Sequence, residues 1–236
     1  MLKAAITILF ILAFIAPVVT LIYIIDKKRN GLLMFIAGIV FYIVAETCIK
    51  LPVLGYLGYG DTDSILYMLV LCIAGALFVE IIQYFVIKCY TKKKMFSLDK
   101  LVLFAAGFIC AYVFVIWGID SVGAAAVIFL DDFKLMSAFE IWIEIIKILI
   151  MLPLQCGIIF LCADTIKFKR VSYFLAAVFI KALTDTDMVF YFFEKIGLGE
   201  GISILYLAIM CVIIIMFIRK QIVLWKGSSN ESIEKE

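Results

Sequence analysis

Residues Val171–Phe193 read VSYFLAAVFIKALTDTDMVFYFF. The stretch is apolar enough and long enough to cross a bilayer, which takes about 20 helical residues. It nevertheless carries Lys181, Asp185 and Asp187 in its middle. Each such charge costs about 2.5–3.5 kcal/mol at bilayer depth on insertion scales. Charges that expensive need partners, water or a task. The rest of the chain decides which.

The other apolar runs have the same length. Spans are expected at about 4–25, 31–49, 65–87, 101–119, 140–163, 171–193 and 202–218. The 236 residues are 67% hydrophobic, against roughly half for a soluble domain. The runs are unbroken, whereas a membrane barrel alternates every second residue, so the fold expected is an all-α polytopic transmembrane bundle of about seven spans. Residues 1–220 are read as a single transmembrane domain, and 221–236 as a short cytoplasmic tail with a disordered end. The run Ala4–Ile25 is too long for a signal-peptide core and is read as a retained first span.

Basic residues set the expected orientation. Segments 26–30, 88–100, 164–170 and 219–236 hold 15 Lys or Arg, and the alternate side holds 4, at Lys3, Lys50, Lys134 and Lys195. The N-terminus is therefore expected outside and the C-terminus inside, in a multi-pass protein of the cell membrane. The bilayer is the partner this composition implies. No basic stripe with interleaved aromatics points to nucleic acid. The chain has no histidine, which removes the commonest zinc ligand and the commonest general base. Its seven cysteines include no CxxC pair and lie in or beside apolar spans, where Cys packs as a small hydrophobe. Neither a metal nor a cofactor is expected.

The charges within the spans form the candidate site: Glu46, Glu144, Lys147, Lys181, Asp185 and Asp187. Glu144 and Lys147 share a helical face and can pair, and so do Lys181 and Asp185. Asp187 is turned about 200° from Asp185. It faces polar groups on the Glu46 side, Lys147 or water, or carries its own proton. Glu80, in GALFVEIIQYFVIK, reads equally as a carboxylate paired to a neighbouring helix and as a general base or ion ligand.

At these residues the chain resembles the YhfC-type intramembrane proteases, distant relatives of the CPBP or Abi group. That family's Gly-x-x-x-Glu-Glu-x-x-Arg-Tyr pattern aligns with Gly75, Val79, Glu80, Gln83 and Tyr84. Its Gly-His-Gly-Gly-x-Glu pattern aligns with Gly107 to Tyr112, placing Phe108 at the His position and Tyr112 at the Glu position. A further family His falls at about Gln155. A His-Ala-Leu-x-Asp pattern aligns with Lys181-Ala182-Leu183-Thr184-Asp185. The resemblance implies a protease scaffold in which Val79, Gln83, Phe108, Tyr112, Gln155 and Lys181 replace the usual residues.

Phe cannot ligate a metal and a protonated Lys repels one. The expectation is a catalytically degenerate protein that binds, scaffolds or regulates another membrane protein or a lipid-linked molecule. Two alternatives remain open. One is an active peptidase with an altered site, using Glu80 as base and Asp185 as its partner. The other is a subunit of a membrane transporter.

Overall fold

A computed structural model describes residues 2–28, 31–50, 52, 65–91, 97–118, 121–122 and 137–233. The described residues are helical, with no strand among them. In chain order the helices are α1 (Leu2–Lys27), α2 (Leu32–Lys50), α3 (Ile65–Thr91), α4 (Leu98–Gly118), α5 (Ala138–Phe168), α6 (Val171–Leu183), α7 (Thr186–Lys195) and α8 (Gly199–Ile233). Of these, α1, α2, α3, α4, α5 and α8 are long and apolar enough to cross a membrane. Large apolar side chains such as Ile22, Leu33, Leu66, Leu175 and Met216 are more than half exposed. Such a surface suits lipid and not water. The chain is a multi-pass integral membrane protein.

One expected span is corrected. The sixth, 171–193, is not a continuous helix: α6 ends at Leu183, and α7 begins at Thr186 after a turn at Thr184 and Asp185. The Thr184 hydroxyl donates to the Ile180 carbonyl at 2.8 Å and the Tyr206 hydroxyl to the Leu183 carbonyl at 3.2 Å. These bonds occupy carbonyls near the end of α6, where the last turn of a helix leaves them without partners within the helix. The last helix continues past its expected apolar end through the RKQIVLWK segment to Ile233. Residues 53–64 and 123–136, Lys134 among them, lie outside the described residues.

Three helices contain π-helical stretches: Ile11–Ile15 in α1, Ile43–Lys50 in α2 and Phe114–Gly118 in α4. The first has a local cause. Pro17 lacks an N–H, and its ring crowds the carbonyl four residues back. The helix widens just before it, and the Ala16 N–H bonds Ile11. Pro153, by contrast, sits inside a helix that continues through it.

The chain divides into two compact units, Met1–Tyr42 with Leu103–Leu152, and Ile43–Val102 with Pro153–Glu236. In the first, α2 and α4 meet through glycine. A Cβ on Gly38 would strike the Phe104 carbonyl oxygen, and one on Gly107 the Phe35 carbonyl oxygen. Small residues let membrane helices approach this closely. Phe41, Tyr42, Phe104, Phe108 and Tyr112 stack around that crossing, with ring centroids 5.3 Å apart for Tyr42–Phe108 and 5.6 Å for Phe41–Phe108.

In the second unit α3 and α6 pack antiparallel. Tyr84 meets Phe174, with centroids 6.0 Å apart, while Ala76 packs on Val178 and Ala182. Ile158 and Leu161 of α5 pack on Ala177 of α6. Gly157 admits Ile214 of α8, where a Cβ would collide.

Candidate functional site

In the second unit the wide turns of α2 carry Glu46 and Lys50 toward the end of α6. Lys181 Nζ lies 2.7 Å from Glu46 Oε1, Lys50 Nζ 3.2 Å from Glu46 Oε2, and Lys50 Nζ 3.4 Å from Asp185 Oδ2. Two bases and two acids thus form one chain of ion pairs, Lys181–Glu46–Lys50–Asp185. The sequence paired Lys181 directly with Asp185, four residues on. The structure links them through Glu46 and Lys50. Lys50, counted in the sequence only as a topological charge, is the bridge between Glu46 and the break in the sixth span. The i,i+4 spacing of Glu46 and Lys50 was the signal for half of that link. The side chain of Asp187 lies outside the described residues.

Glu80 is fully buried, and neither carboxyl oxygen has a hydrogen-bond partner among the described residues. It is close enough to Lys181 and Glu46 to interact with their charges. The Cys162 thiol faces its backbone carbonyl at 4.0 Å. Val79 and Gln83 on the same helix are buried too, and Gln83 Nε2 also lacks an acceptor among the described residues. Gln155 is buried on α5. The second unit therefore holds Glu46, Val79, Glu80, Gln83, Gln155, Lys181 and Asp185.

The first unit holds the other named positions. Phe108 and Tyr112 are buried members of the aromatic stack at the α2–α4 crossing. Glu144 and Lys147 form the expected ion pair at 2.7 Å, and the Trp117 indole N–H donates to the second Glu144 oxygen at 2.8 Å. A carboxylate bonded on both oxygens is held in place, which suits a helix contact.

Beside the break in the sixth span lies an apolar cavity of about 320 Å³, lined by residues that include Cys72, Ile73, Phe179, Ala182, Phe193 and Tyr206. That is at the small end of ligand pockets. At the far end of the second unit, Trp225 Nε1 donates to Asp164 Oδ1 at 2.7 Å, and Lys167 Nζ lies 4.0 Å from the Trp225 ring centroid. Asp164, Lys167, Gln221 and Trp225 were not singled out in the sequence. Asp164 three residues before Lys167 on an apolar helix was the available signal.

Among the described residues no three His, Cys, Asp or Glu side chains converge as a metal site would require. Comparison with protein-family models, with curated proteins and with solved structures returns no match.

Proposed function

We propose that this chain is a non-catalytic protein of the cell membrane, built on a YhfC- or CPBP-like intramembrane protease scaffold, that binds, scaffolds or regulates another membrane component. The observation that carries this reading is the ion-pair chain. Lys181 stands where the family pattern has His, and it is engaged by Glu46 at 2.7 Å. Asp185 stands where the family pattern has Asp, and it is engaged by Lys50. Charges that neutralise one another leave little to activate a water or stabilise an oxyanion.

Phe108 and Tyr112 support the same reading, because they fill their positions with packed rings. The test is proteolysis by the full chain reconstituted with labelled transmembrane peptides. Fragment release no greater than that of a Glu80→Gln variant is expected. Release that disappears in Glu80→Gln overturns the reading in favour of a peptidase.

One observation favours a transport role as a second reading. The sixth span is interrupted beside the Lys50–Asp185 pair. Interrupted helices at membrane depth hold ions and substrates in several transporters. Solute or proton flux in proteoliposomes that is lost on Asp185→Asn would support it, and flux unchanged by that variant would count against it.

A further inference from the structure

The end of the second unit formed by α5 and α8 holds a site built from residues that no protease pattern includes. Trp225 closes the apolar stretch Gly199–Trp225, and Asp164 lies in the last turns of Ala138–Phe168. Both therefore sit where apolar helix gives way to polar headgroups, the depth at which Trp and Lys are enriched. The helices are joined there by the Trp225 to Asp164 bond and by the Lys167 ammonium on the Trp225 ring. Asp164 is fully buried and Gln221 is 3% exposed. Yet Asp164 Oδ2 and Gln221 Oε1 have no donor among the described residues. Gln221 and Trp225 are four apart on α8 and so share a face.

Two buried acceptors without a donor among the described residues are costly, and the lack is specific: what they call for is N–H or O–H. Around them the sequence supplies cations. Lys167, Lys169 and Arg170 follow Asp164, and Arg219 and Lys220 precede Gln221. Lys169 takes the left-handed turn conformation that reverses the chain between α5 and α6, with φ 54°. Buried acceptors within a basic rim fit a ligand with a cationic donor at one end and an anion next to it. A carboxylate prefers a charged donor, and lysine and arginine hold phosphate.

We propose that this end of α5 and α8 binds the headgroup of an ethanolamine phospholipid. Asp164 and Gln221 accept from its ammonium, and the surrounding lysines and arginines hold its phosphate. Phosphatidylcholine carries the same phosphate and charge but has no N–H to give, so the two lipids separate donor recognition from simple electrostatic attraction.

The full chain is reconstituted in phosphatidylcholine nanodiscs containing phosphatidylethanolamine or phosphatidylglycerol at equal mole fraction. Lipid retained on the released protein is read by native mass spectrometry. The ethanolamine lipid is expected to be retained roughly tenfold over the choline lipid, the ratio that one charge-assisted hydrogen bond commands. Wild-type protein with N-methyl and N,N-dimethyl ethanolamine lipids should show the preference falling as each N–H is removed. That arm needs no variant. Asp164→Asn should abolish the preference while keeping an acceptor for the Trp225 indole, with an unfolding temperature near that of the wild type as the check on folding. Gln221→Leu should weaken it. Equal retention of ethanolamine and choline lipids would mean that water fills the site and would overturn the proposal. So would retention of phosphatidylglycerol in preference, or an Asp164→Asn variant that keeps the wild-type ratio.

Discussion

The Lys181 ammonium lies 2.7 Å from Glu46 Oε1, across 135 positions of sequence, and ties the sixth span to the wide turns that end the second. Both side chains are mostly buried. Removing one member of a buried pair costs about 3–5 kcal/mol, because the partner's charge is left behind. Lys181→Met should lower stability by an amount of that order, moderated by the presence of Lys50 at Glu46. Lys181→Met with Glu46→Leu should recover most of the loss, since Lys50 and Asp185 remain a neutral pair. The measure is a double-mutant cycle of thermal unfolding in detergent, with coupling of about 0.5–3 kcal/mol. A stronger coupling of Lys181 to Asp185 than to Glu46 would show that the direct pair dominates.

Glu80 supplies a prediction of opposite sign. Its carboxyl is buried and neither oxygen has a hydrogen-bond donor among the described residues, so replacing it with a leucine of similar size removes a desolvation penalty of about 1–3 kcal/mol. Glu80→Leu should unfold at or above the wild-type temperature. A variant that unfolds well below it would mean that the attraction of Lys181 outweighs the cost of burying the carboxyl.

The glycines allow a matched comparison. Gly107→Ala forces a methyl group against the Phe35 backbone, whereas a Cβ on Gly201 meets nothing within 4 Å. Overpacking costs about 1–3 kcal/mol. Gly107→Ala should be destabilised by that amount. Gly201→Ala, within α8, should be neutral or gain about 0.4–1 kcal/mol. Equal melting temperatures for the two variants would mean that the α2–α4 crossing is looser than the backbone contact implies.

Phe108→His introduces the residue that the YhfC-type pattern has at this position. Its ring is packed between Phe41, Tyr42 and Tyr112. An imidazole there must bury polar nitrogens, at about 1–3 kcal/mol. The variant should be less stable than the wild type and should release no more peptide in the proteolysis assay. A gain of cleavage would count against the proposed non-catalytic reading.

Span positions were legible because apolar length is a local property, and α1, α2, α3 and α4 lie close to where the sequence put them. The break in the sixth span was hidden by its flanks, which are apolar enough to read as one helix. The residues at the break, Thr184-Asp185-Thr186-Asp187, are types that bond their own backbone and favour helix ends. Two of them are also charged, and a charge within an apolar stretch points to chemistry as readily as to capping. Glu144–Lys147 was legible because its spacing sets its geometry. Lys181–Glu46 and Trp225–Asp164 were not, because their spacing in sequence carries no information about which helices meet.

The interruption after Leu183 also bears on the membrane itself. At 1.5 Å per residue, α6 reaches about 20 Å, short of a hydrocarbon core of about 30 Å. The chain continues into α7 after the turn at Thr184 and Asp185. The Lys50–Asp185 ion pair, at 3.4 Å, sits at that bend. Mismatch with the bilayer costs fractions of a kcal/mol per Å, so a thicker or thinner membrane would pull on the Lys50–Asp185 contact. The local lipid composition is in this sense part of the protein's conformational energy.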